Sequence, residues 1–211
     1  MHTFESLRKD YPVFAYDGYH IGREPGGVRL RFDFSVEGLC AFHPETFIRT
    51  DSLTLLNAFD SAAAQAIVFS LGLTEAVSYY KAVCSPVMDV RCGALTDEQI
   101  RWWKKLWFHG LGEFFYRNGI ETTEEDFVTV RCAGTWKKPC AAFRSAGLHI
   151  VPIGGGKDSA VTLSLLQNEK DRIYGFTVND QRARTDTMTA AGLPLDRMIR
   201  THRTITPNCC V

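Results

Sequence analysis

Leu148-His-Ile-Val-Pro-Ile-Gly-Gly-Gly-Lys-Asp-Ser159 carries an apolar run suited to a buried strand directly into three glycines. Ala160 to Leu166 then continue with apolar residues (Val161, Leu163, Leu165, Leu166) that suit a buried helix. Few folds place strand, glycine loop and helix in this order, and the commonest are α/β folds built on a parallel sheet. Glycines let backbone N–H groups approach an anion without Cβ clashes, and the helix N-terminus adds a favourable dipole. Asp158 and Ser159 also suit the first positions of a helix, so part of the pattern has a purely structural cause.

The spacing separates this loop from two common phosphate binders. A G-x-x-x-x-G-K-[ST] loop needs its glycines further apart than Gly154 and Gly156, and here Asp158 follows the lysine. A G-x-G-x-x-G loop needs a third glycine where Ser159 stands. The segment resembles the S-G-G-x-D-S loop of the ATP pyrophosphatase superfamily, with Gly154 in place of the first serine. That resemblance implies cleavage of ATP to AMP and diphosphate by adenylation of a substrate oxygen. A glycine turn without a ligand is the plainer alternative.

Lys plus Arg and Asp plus Glu both number 24, so no overall field points to nucleic acid as the partner. The start, Met1 to Lys9, holds no apolar run of the secretory kind. The longest apolar tract, Ala62 to Leu73, is interrupted by Gln65, Ser70 and Gly72 and is too short for membrane insertion. Seven cysteines are scattered without a C-x-x-C, and no histidine stands at zinc-ligand spacing. The expectation is reduced thiols in a cytoplasmic protein, with no metal-ligating residues to name. The Cys84/Cys92 and Cys132/Cys140 spacings leave a disulfide or metal framework as the alternative.

Two modules are expected: an α+β domain over residues 1–140, then a partial doubly wound α/β nucleotide-binding domain over 148–211. Val28, Leu30, Phe32, Phe34 and Val36 alternate with polar residues as a half-buried antiparallel strand, joined by Arg23–Gly27 to a strand around Tyr16–Ile21. A long helix is expected from Asp51 or Ser52 through Leu71, with Gly72 as its stop, and a shorter one over Glu75–Ala82. Another starts at the capping box Thr96-x-x-Gln99 and runs towards Asn118. Arg131 to Gly147 reads as an interdomain connection. Beyond it the expected order is strand His149–Ile153, helix Asp158–Gln167, strand Ile173–Val178, helix Thr185–Ala191 and strand Met198–Thr201. Ligands of open α/β sheets sit beyond the carboxyl ends of the strands, which places Thr177, Val178 and Asn179 beside the glycine loop.

Several segments together resemble one family, the ATP-dependent UDP-N-acetylmuramoyl-L-alanyl-L-glutamate epimerases of bacterial cell-wall synthesis. They are Leu71–Ala82, Phe108–Asn118, Val151–Ser159, Gly175–Asn179 and Arg203–Pro207, in that order along nearly the whole chain. The resemblance implies adenylation of the terminal L-glutamate α-carboxylate, exchange of the acidified Cα proton, and hydrolysis to the D-glutamyl product and AMP. It implies ATP and Mg²⁺ as cofactors and the UDP-muramoyl dipeptide as partner, in peptidoglycan biosynthesis. On that resemblance the Gly154, Gly155 and Gly156 backbone contacts diphosphate, and Lys157 supplies a phosphate charge. Asp158 meets the metal or the loop, Ser159 donates to phosphate, and Val178 and Asn179 meet the nucleotide. Lys157 and Asp158 are the catalytic candidates; Tyr79, Tyr80, Lys81, Glu113 and Tyr116 are the substrate candidates. Another enzyme of the superfamily (amide-forming or tRNA-thiolating) and a non-catalytic nucleotide-binding module are the rivals. Family members look about twice this length, so the resemblance also implies an unfinished sheet. Its last strand, near Met198–Thr201, would be an open edge prone to self-association and without epimerase turnover.

Overall fold

The computed structural model describes residues 3–133 and 146–205. Its frame is one mixed nine-stranded sheet in the order β6-β5-β1-β2-β4-β9-β8-β7, with β3 on β2. The short helix α1 (Phe4–Asp10) leads into the hairpin of β1 (Val13–Glu24) and β2 (Gly27–Val36). A two-residue loop closes it, with Gly26 in the left-handed region at φ 81°. β1 gains one residue at Asp17, where the register passes from Tyr16↔Phe34 to Gly18↔Asp33. This bulge keeps Phe14, Tyr16 and Tyr19 on one face despite their uneven spacing. β3 (Cys40–Phe42) and β4 (Glu45–Arg49) pair antiparallel with β2.

Helices α2 (Leu53–Ala58) and α3 (Ala62–Tyr80) follow. Gly72 does not end a helix, as its residue type suggested. It sits inside α3, where a Cβ would overlap the Tyr16 hydroxyl and run into the Phe32 ring. The glycine is there for the close approach of α3 to the sheet, a cause that lies 40 and more residues away in sequence and is invisible locally.

β5 (Val87–Val90) pairs parallel with β1, and β6 (Thr129–Cys132) with β5. Between them run α4 (Asp97–Gly110) and α5 (Gly112–Arg117), one expected helix broken at Leu111. The capping box is present: Gln99 N–H donates to Thr96 Oγ1 at 3.2 Å and Thr96 N–H to Gln99 Oε1 at 2.9 Å. Thr96→Ala is therefore expected to cost about 1 kcal/mol, read as a lower urea midpoint at unchanged slope.

The last third alternates as expected: β7 (His149–Pro152), α6 (Lys157–Leu165), β8 (Ile173–Val178), α7 (Arg182–Ala190) and β9 (Met198–Thr204), with β7, β8 and β9 parallel. Two expectations are corrected. β9 is no open edge, because β4 pairs with it antiparallel (Ile48↔Thr201, Glu45↔Thr204) while β8 holds its other side. The same pairing joins the Val28–Val36 and His149–Pro152 strands in one sheet, so the division into separate sheets does not hold. β4 would otherwise leave a row of unpaired backbone groups, and β9 satisfies them. The apolar packing does form two clusters, one from Phe14 to Val128 and a smaller one of Val151, Ile153, Leu163, Ile173, Met188, Leu193 and Met198. Residues 134–145, inside the expected connection, lie outside the described residues.

Candidate functional site

The glycine loop leaves the open-ended tip of β7 and enters α6. Ile153 N–H donates to Phe176 O at 2.7 Å, so strand pairing continues up to the first glycine. Gly155 takes φ 83°, and a Cβ there would stand 3.0 Å from the Ala183 methyl. The loop thus needs glycine at this position both for its backbone conformation and for its contact with α7. Around Gly154 and Gly156 a Cβ would meet nothing within 4 Å, so space is open on that side.

The first helical hydrogen bond of α6 runs from Ala160 N–H to Gly156 O. The N–H groups of Lys157, Asp158 and Ser159 precede it, and no side chain caps them. Uncapped N–H groups and the positive end of the helix dipole form a favourable place for an anion. Lys157 and Asp158 are exposed at this end, and neither makes an ion pair among the described residues. Ser159 is buried, and its hydroxyl donates to Gly156 O at 2.9 Å. In this arrangement its proton braces the loop.

The end of β8 lies beside the loop through α7. Arg184 reaches back from α7, its guanidinium donating to Val178 O, Asn179 O and Thr177 Oγ1. Asn179 stands in the left-handed region at φ 59°, and its Oδ1 accepts from Arg203 N–H at 2.8 Å. Arg203 in turn meets Glu75 of α3 at 2.7 Å. Sequence reasoning missed Arg184 and the Arg203–Glu75 pair, since both depend on contacts that no local pattern encodes.

The substrate candidates separate. Tyr79 and Tyr80 are corrected: both are core residues, 1% and 2% exposed. Tyr79 stacks on Phe34 and meets Phe42 at a tilt, and the Tyr80 hydroxyl lies within hydrogen-bond reach of two carbonyls, Ser85 O at 2.9 Å and Phe127 O at 3.1 Å. Lys81 caps α3 and lines a cavity with Cys84, Phe114 and Asn118. Glu113 and Tyr116 are exposed on α5, with Glu113 bonded to Arg117 one turn on. No described contact brings these three to the glycine loop.

The family model of the MurL N-terminal domain matches residues 5–210, glycine loop included. The chain belongs to that family. A UDP-N-acetyl-alpha-D-muramoyl-L-alanyl-L-glutamate epimerase from Xanthomonas oryzae pv. oryzae (strain MAFF 311018) is 32% identical over 113 residues, which cover 54% of this chain and 25% of the relative. The chain therefore spans about a quarter of that relative's length in the match. No solved structure matches.

This MurL-type domain carries further charged features beyond the loop. On the face of β1 and β2 turned away from α3, Asp33 collects His43 at 2.5 Å, Arg31 at 2.8 Å and His20 at 2.8 Å. Burial alone would raise the Asp33 carboxyl, but hydrogen bonds from His43, Arg31 and His20 and the charge of Arg31 outweigh it and hold the group below its usual range. A depressed folded-state pKa stabilises above the unfolded value and is lost as pH falls through the folded one. The stability difference between wild type and Asp33→Asn is thus expected to shrink as pH drops below about 4, measured by urea unfolding across pH. A cavity of about 350 Å³ lies between β4, the middle of β9 and Asp180 just past β8, lined by Arg29, Phe47, Arg49, Asp180, Arg200, Thr201 and His202.

Among the described residues no group of three or more His, Cys, Asp or Glu could hold a metal, and no helix is long and apolar enough to cross a membrane. Cys84, Cys92 and Cys132 are free, and burial pushes the Cys84 and Cys92 thiols up to about 12. They fit the expectation of reduced, inert thiols. Cys40 departs from it, being disulfide-bonded.

Proposed function

We propose that this chain is the ATP-phosphate-binding part of a MurL-type epimerase, which inverts the terminal L-glutamate of UDP-N-acetylmuramoyl-L-alanyl-L-glutamate in peptidoglycan synthesis. Family membership supports the epimerase class. The observation that carries the ATP reading is the uncapped start of α6, facing open space at Gly154 and Gly156, with Lys157 beside it and without an ion pair among the described residues. Polyphosphate fits this donor set: backbone N–H groups for its oxygens and one ammonium for its charge. Mg²⁺ usually takes one or two carboxylates plus substrate phosphates, which makes Asp158 its one candidate ligand in the loop. When bound, the ion would relieve phosphate charge during attack.

In this reading the glutamate α-carboxylate oxygen attacks the α-phosphorus and diphosphate leaves from the loop. The resulting acyl-adenylate has lost its carboxylate charge, so the Cα proton can be removed and returned on the opposite face. Water then cleaves the acyl–phosphate bond to give the D-glutamyl product and AMP. Gly154–Gly156 and Lys157 hold the leaving diphosphate. The cavity of Arg49, Arg200 and His202, also lined by Asp180 just past Asn179, offers basic groups for the acidic substrate.

The test is incubation with labelled ATP, Mg²⁺ and the UDP-muramoyl dipeptide, reading ATP binding, AMP and D-glutamyl product, with the Xanthomonas epimerase as control. The 211-residue protein is expected to bind Mg·ATP. Absence of ATP binding would remove the loop assignment. D-glutamyl product would extend the reading from ATP binding to epimerase turnover.

A further inference from the structure

The sheet has four half-faces, and their chemistry differs. Over β1, β2 and β4, one face is covered by α3 and the first apolar cluster, and the other is solvated and charged with His20, Arg29, Arg31, Asp33 and Glu45. Over β7, β8 and β9, one face is covered by α6 and α7 around Val151, Ile173, Met188 and Met198. The register identifies what lies on the remaining half-face. Ile48, on the α3 face, pairs with Thr201, and the chain of partners runs on through Val178, Ile199, Phe176, Pro152, Tyr174 and Ile150. Beyond Thr201 and Arg203 at its β4 side that half-face is apolar, yet Ile150 is 63% and Val178 37% exposed, Pro152 is exposed, and Tyr174, Phe176 and Ile199 are only half-buried. A half-face meant for water should look like the charged one. Parallel strands are normally covered on both faces.

The strand order adds a direction. β9-β8-β7 reads 3-2-1 along the chain, with both connecting helices on one face, which is half of a doubly wound sheet. The other half of such sheets begins beside strand 1 and places its helices on the opposite face. The ligand crevice opens at the carboxyl end of strand 1. Here strand 1 is β7, an edge among the described residues, and its carboxyl end is the glycine loop. Since Ile153 N–H points to β8, backbone groups of Ile150 and Pro152 point outward by alternation. Proline leaves no orphaned donor there, while the two carbonyls and the Ile150 N–H remain for a partner strand.

We propose that the β7 edge and the Ile150/Tyr174/Phe176 face dock a further strand-and-helix unit, the added strand running parallel to β7. Its source is the part of the longer MurL chains beyond this domain: 113 matched residues are only 25% of the Xanthomonas relative, whereas the N-terminal domain takes up residues 5–210 of this chain. Docking turns the end of β7 into a switch-point crevice and walls the second side of the glycine loop. The inference rests on the sheet alone and does not need the ATP reading.

The test co-expresses the intact 211-residue chain with the sequence of the Xanthomonas relative that follows its N-terminal domain, tagged on the latter only. A 1:1 complex is expected, in which exchange of the Ile150 amide slows about tenfold or more against the chain alone. Ile150→Lys and Phe176→Asp should each reduce recovery of the complex about tenfold, and His20→Ala on the charged face should not. ATP is left out throughout, so failure here is distinct from failure of the phosphate reading. No complex with the soluble partner, or a complex with unchanged Ile150 exchange, would overturn the proposal. So would protection of Ile150 in a dimer of this chain alone, which would assign the face to a second copy.

Discussion

Trp107→Ala is expected to lower the free energy of unfolding by about 3–5 kcal/mol, the cost of emptying a fully buried indole site. Trp107 is 2% exposed and packs against Trp103, tilted, at 5.7 Å between ring centroids. Its indole N–H donates to Leu73 O at 3.0 Å, inside α3. The substitution therefore removes the largest side chain that ties α4 to α3 and leaves the Leu73 carbonyl without that donor. Domains of this size have a total stability of roughly 5–15 kcal/mol, so the variant should unfold at a much lower urea midpoint. Trp102, 58% exposed on the same helix, supplies the control: Trp102→Ala should change the midpoint little. Equal effects at the two positions would mean that α4 packs through a different face.

Lys157→Ala is expected to weaken Mg·ATP binding about 10- to 100-fold, the value of one hydrogen-bonded charge contact of roughly 1.5–3 kcal/mol. The side chain is exposed and makes no ion pair among the described residues, so its loss should leave the urea midpoint where it was. Asp158→Asn should act differently. It removes the candidate Mg²⁺ ligand, so affinity for ATP should fall chiefly when Mg²⁺ is present, and metal-free ATP should bind as before or slightly better. Calorimetry with and without Mg²⁺ separates the two. Unchanged affinity in both variants would sink the phosphate-loop reading.

What the sequence made legible depended on how far the cause of each element lay from it. The Val28–Val36 strand, the Ile173–Val178 strand and the Thr96 capping box are set by neighbouring residues, and each stands where local pattern put it. β4, β5 and β6 have five, four and four residues, too few for an alternation to register. The glycine loop was readable because glycine, lysine and a helix start must be adjacent in sequence to work together. Gly72 was misread as a stop because its reason is the Tyr16 ring across the core. Tyr79 and Tyr80 were misplaced for a related cause. Helix α3 is apolar on most sides, with Ile67 and Leu71 exposed and Leu73 and Ala76 buried, so periodicity alone does not say which face meets the sheet. The joining of the two halves through β4 and β9, with Arg203 and Glu75 128 residues apart, is long-range in the same way.

The central claim is that the Gly154–Ser159 loop holds the phosphates of ATP. Amide-resolved titration of the intact protein with Mg·ATP tests it most directly, following the N–H signals of Gly154, Gly155, Gly156, Lys157, Asp158 and Ser159. The account predicts that these six signals shift together along one saturating curve, while signals on the charged face at His20 and Asp33 stay in place. ATP binding with the loop signals unmoved, or no saturable binding at all, would contradict it.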